Sequence, residues 1–129
     1  WDIQILSKRW GITPWGYIRD NQKQWDWVNP LINKTGQLTR QTDVWIQITV
    51  PNEFQPIGKY SIGVTAGIET TICDPSWVEG VNRMDLTLVS SNHAKNVFQE
   101  SQFEKKEGTW IIRLNLNCTL YKWTMLATR

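Results

Sequence analysis

The sequence predicts an α/β fold: a mainly parallel sheet with flanking helices, and a strand or hairpin added near the C-terminus. Three observations carry that reading. Residues 44–50 and 60–65 are runs rich in β-branched and aromatic side chains, each bounded by turn residues. Asp74-Pro75 and Ser90-Ser91 are helix-start signals, each followed by an apolar periodicity near 3.6. Strand, helix, strand and helix then alternate through residue 99, which is the pattern of helices covering a parallel sheet. At 129 residues the chain fits one domain, 1–129, able to bury roughly two-thirds of its unfolded surface.

Residues 2–6 alternate weakly and read as a short first strand, and residues 7–20, with Gly11, Pro14 and Gly16, read as an irregular aromatic loop. Asp20 or Asn21 caps a short helix from about Gln22, with Trp25, Val28 and Leu31 or Ile32 on one side and Pro30 ending or kinking it. The strand at 44–50 is the clearest in the chain and is stopped by Pro51-Asn52-Glu53-Phe54. After a turn at 55–58, the strand at 60–65 leads into the loop Ala66-Gly67-Ile68-Glu69-Thr70-Thr71. In a parallel sheet that loop leaves the carboxyl ends of the strands, where open α/β sheets hold ligands. A helix runs from Pro75 to about Asn82 with Trp77, Val78 and Val81 inward, and a short strand follows at 86–89. Ser90 or Ser91 caps the next helix, 92–99, which offers Ala94, Val97 and Phe98 to a core. Residues 105–108 read as a polar turn, 109–116 alternate as an edge strand, and 120–126 form either its hairpin partner or a loose tail.

Composition removes several function classes. Fourteen Lys plus Arg stand against 12 Asp plus Glu, with no basic run longer than Lys105-Lys106, so nucleic acid is not an expected partner. No apolar stretch reaches about 18 residues and no secretory leader is visible, so no membrane span is expected and the location reads as cytoplasmic. Cys73 and Cys118 allow one disulfide at most and match no zinc spacing, leaving reduced thiols as the simpler reading. Asn33-Lys34-Thr35 and Asn117-Cys118-Thr119 match the N-glycosylation pattern, which has meaning only in a secreted chain. The unusual feature is tryptophan: five of the nine, Trp1, Trp10, Trp15, Trp25 and Trp27, fall in the first 27 residues. Such rings fill a core, stack on a sugar or nucleotide, or face a protein partner.

Candidate chemistry gathers at the strand ends. Glu69, after Gly67 in the sheet-edge loop, can accept hydrogen bonds from a substrate hydroxyl; its plain alternative is helix capping or solvent. Thr65 ends the strand before it. Ser90, Ser91 and His93 lie at a helix start, where backbone N–H groups can hold an anion, although capping alone accounts for the serines. His93, the single histidine, has no companion in a metal-ligand pattern and reads first as structural or exposed. Asp85 sits at the opposite end of the sheet from Glu69, so it and Arg83 are assigned to turn and surface pairing, and no paired-carboxylate glycosidase signature arises. A G-x-S-x-G elbow, a P-loop and a G-x-G-x-x-G fingerprint are all missing from the sequence.

The ordered set Pro51-Asn52-Glu53-Phe54, the run from Gly58 through Gly67-Ile68-Glu69-Thr70-Thr71, Pro75-Ser76-Trp77-Val78, Asn82-Arg83-Met84-Asp85 and Val89-Ser90-Ser91-Asn92-His93 resembles the amino-terminal half of glycosyltransferases with two Rossmann domains. The similarity is strongest to phage-encoded and bacterial members and covers about residues 43–104. It implies a Rossmann-like domain on the acceptor side of a sugar-transfer cleft, a truncated N-terminal half with a divergent tail over 105–129. Glu69 then corresponds to the family's catalytic-loop glutamate facing the cleft. Gly67 corresponds to its neighbouring loop position, and Ser90 and Ser91 to the strand-end site near the same edge; Thr65, His93 and the Trp15 ring join them as substrate-binding candidates on their own chemistry and not through the resemblance. The resemblance implies a carbohydrate acceptor, and a nucleotide-sugar donor held by a second domain or partner protein; this chain itself carries no cofactor or metal site. Gly67-Ile68 replaces the aromatic residue often found before the glutamate, and the tail departs from the family's continuation. The alternative is a non-catalytic carbohydrate-binding or assembly protein in which the clustered tryptophans do the binding.

Overall fold

Val44–Ile48 (β1), Tyr60–Thr65 (β2) and Leu86–Val89 (β3) form a parallel sheet in the computed structural model, pairing in that order. The structure describes residues 2–8, 12, 18, 22–107, 110–114 and 119–122, with 104–107, 110–114 and 119–122 described through their backbone. Two compact units are distinguished, Trp1–Arg40 and Gln41–Arg129.

In the first unit the expected strand at 2–6 reduces to a single parallel bridge between Ile5 and Ile32. Its bonds run from Ile5 N–H to the Leu31 carbonyl (2.8 Å) and from Asn33 N–H to the Ile5 carbonyl (2.9 Å). The expected helix from Gln22 is instead two 3₁₀ turns, Lys23–Trp25 and Asn29–Leu31. Gln22 gives no side-chain cap to the first turn, and Pro30 lies inside the second, so neither propagates into an α-helix. Asn33 closes a tight turn instead: its Oδ1 accepts from the backbone N–H of Thr35 and Gly36 and from the Thr35 hydroxyl at 2.7 Å.

The second unit holds the α/β fold. Between β2 and β3 runs the helix Pro75–Asn82 (α1), and after β3 the helix Asn92–Glu100 (α2). Asp74 is the N-cap of α1, accepting from the Ser76 N–H at 2.8 Å with Pro75 in the first turn; Ser91 caps α2 by accepting from the Ala94 N–H at 3.1 Å. Right-handed crossovers in a sheet that grows in one direction all pass over the same face. Accordingly Val78 and Val81 of α1, Ala94, Val97 and Phe98 of α2, Phe54 and Val89 share one core, with the Trp77 ring stacked near Phe98 at 6.3 Å between centroids. The strands meet that layer with Gln47, Ser61, Gly63, Thr65, Thr87 and Val89, all buried. At Gly63 the missing side chain lets the Phe54 ring pack directly on the strand: a β-carbon there would sit 2.5 Å from that ring. Gln47 is satisfied on both ends of its amide, donating to the Glu53 carbonyl (2.8 Å) and accepting from the Gln55 N–H (3.0 Å). The opposite face carries the apolar residues of alternate parity, and Ile46 and Ile48 in the outer strand are 58% and 67% exposed.

The C-terminal segments differ from the expected pairing. Phe103–Glu107 (β4), whose last three residues read as part of a polar turn, pairs antiparallel with Trp110–Leu114 (β5) as a separate hairpin. Thr119–Lys122 (β6) joins the main sheet beside β3, in parallel, giving the order β1-β2-β3-β6. No helix among the described residues is long and apolar enough to cross a membrane.

Candidate functional site at the carboxyl edge of the sheet

Parallel pairing places the carboxyl ends of β2 and β3 side by side, with Thr65 in register with Val89. From those neighbouring ends leave the two segments that carry the candidate residues. Beyond Thr65 the chain turns at Gly67, whose φ of +84° lies in the left-handed region. The Gly67 N–H points back to the buried Thr65 hydroxyl at 3.4 Å. Beyond Val89, the Ser90 hydroxyl donates to the Ala66 carbonyl at 2.9 Å, tying the two strand ends together. The loop also rests on α2, because a β-carbon on Gly67 would come within 2.4 Å of the β-carbon of Ala94. Thr65, Gly67, Ser90 and Ser91 are therefore brought to one place.

The loop is anchored at its far end as well. Ile68 packs against the core, and Cys73, 2% exposed and a free thiol, donates its N–H to the Ser101 hydroxyl at 3.3 Å. Between these anchors Glu69, Thr70, Thr71 and Ile72 stand exposed, and the Thr70 hydroxyl donates to the Ile72 carbonyl at 2.8 Å. Glu69 is thus an exposed carboxylate on a short span fixed at both ends. Capping of the following helix is done by Asp74 and not by Glu69. Two hydrogen bonds from Ser76, first from its hydroxyl (2.6 Å) and then from its backbone N–H, hold the Asp74 carboxyl below the usual carboxylate range.

No protein-family model, curated protein or solved structure matches this chain.

Ser91 is consumed as the cap of α2, as the capping reading expects, whereas Ser90 serves the loop and not the helix. His93 is exposed in the first turn of α2, one residue before Ala94. Asp85 lies at the amino end of the strands: its Oδ2 accepts from the Ser61 N–H at 2.7 Å, while its own N–H donates to the Ser61 carbonyl at 2.9 Å. That separation from Glu69 is the one the strand directions require. Arg83 donates to the carbonyls of Phe54 (3.0 Å) and Asn52 (3.3 Å), a bracing role. Among the described residues no three His, Cys, Asp or Glu side chains gather as a metal site. Trp15, Trp10 and Cys118 lie outside the described residues.

Sequence reasoning passes over Ala94 and the Ala66 carbonyl as parts of this edge. Ala94 reads only as a core residue of α2, and its second role appears when the β2 loop folds back onto the helix. The small side chain three residues after the cap is the one trace of it in the sequence.

Proposed function

We propose that this chain is the acceptor-side domain of a glycosyltransferase-like system, with a carbohydrate hydroxyl bound at the edge formed by β2, β3 and the start of α2. The observation that carries the reading is the anchored span 67–73, which holds Glu69 exposed beside the adjoining ends of two parallel strands. The sequence resemblance over about residues 43–104 supports the same position for the glutamate. In this reading Glu69 accepts the proton of the acceptor hydroxyl. The acceptor oxygen bonds to the anomeric carbon of a nucleotide-sugar, and the bond from that carbon to the diphosphate breaks, the electron pair leaving with the nucleoside diphosphate. Donor binding and stabilisation of the leaving diphosphate belong to a second domain or a partner protein. A loop anchored at both ends suits this task because it keeps the backbone that carries Glu69 at the strand ends before the sugar arrives.

Saturation-transfer NMR of the purified chain against mixed sugars and nucleoside diphosphates tests the reading. Sugar signals that weaken in Glu69→Gln support it; no sugar signal from a folded sample overturns it.

A second reading is a non-catalytic carbohydrate-binding protein, favoured by the Trp27 ring, which is 72% exposed in the first unit and offers a face on which a sugar can stack. Sugar contact that survives Glu69→Gln but is lost in Trp27→Ala selects this reading over the first.

A further inference from the structure

We draw no further inference here: the strongest candidate, the apolar sheet face on which Val44, Ile46, Ile48 and Tyr60 are exposed, carries nothing because nothing in the structure shows what covers it.

Discussion

Gly67 and Ala94 are packed against each other: a β-carbon on Gly67 would stand only 2.4 Å from the β-carbon of Ala94. The same glycine holds a φ of +84°, so two independent constraints select it. Gly67→Ala is expected to cost about 2–4 kcal/mol, combining left-handed backbone strain with overpacking against α2. In an Ala94→Gly background the steric part is relieved, and the same substitution should cost about 1–2 kcal/mol, the backbone part alone. Urea unfolding of the four proteins in this cycle measures the coupling. Equal costs in both backgrounds would show that the loop does not rest on Ala94.

Gly80 offers a case in which helix propensity and packing predict opposite signs. It lies inside α1, where Ala is normally better by about 1 kcal/mol. Here, however, a β-carbon would collide with the carbonyl oxygen of Pro51, a backbone atom of the buried first residue of the 3₁₀ turn Pro51–Glu53. Gly80→Ala should therefore lower stability by about 3 kcal/mol instead of raising it. A higher urea midpoint for the variant would contradict the close approach of α1 to that turn.

How much of this was legible in the chain differs by element, for physical reasons. β1, β2, α1 and α2 carry their signals locally: β-branched runs for the strands, Asp74-Pro75 and Ser91 for the helix starts. Reading 22–32 as a helix gave too much weight to apolar spacing, since an uncapped start and Pro30 leave only single turns. The tail failed for another reason. Residues 105–108 read as a polar turn, but Lys105 to Glu107 belong to a strand because Trp110–Leu114 pairs with Phe103–Glu107, Glu104 opposite Arg113. β6 finds its place beside β3, 33 residues earlier by register, from Leu86 to Thr119, and no local alternation reports so distant a partner. At the site, the position of Glu69 beyond the strand end and a serine cap at Ser90 or Ser91 were readable from order alone, and the structure assigns the cap to Ser91. The Ser90 bond to Ala66 and the Gly67 contact with Ala94 were not, because each joins segments brought together only by the parallel pairing.

Asp85 should matter to stability and not to the carboxyl edge. Its carboxylate is paired with the N–H of Ser61, a residue with no exposed surface. Asp85→Ala leaves that donor without its partner and is expected to cost about 1–3 kcal/mol. Asp85→Asn keeps an accepting oxygen and should recover much of the loss. Backbone amide NMR shifts in residues 66–73 should stay unchanged in Asp85→Asn, since the latch lies at the amino end of the strands. Large shifts there would connect the two ends of the sheet and contradict the separation of Asp85 from Glu69.

Asp74 gives the molecule a defined acid response. Its carboxyl is held below the usual range, first by the Ser76 hydroxyl and then by the Ser76 N–H, because both donate to the ionised form. A carboxyl with a depressed folded-state pKa adds stability that is fully present above its unfolded value. That contribution is lost as pH falls through the folded value. Capping of α1 should therefore be intact at neutral pH and weaken on acidification below the ordinary carboxylate range. Asp74→Asn can still cap but cannot titrate, so its urea midpoint should fall less than that of the unmodified chain between pH 6 and about pH 3. Ser76→Ala removes the larger cause of the shift and should move the Asp74 titration, followed by carboxyl-carbon NMR, upward toward the ordinary value. Identical acid limbs for the unmodified and Asp74→Asn proteins would show that this cap does not contribute to the acid response.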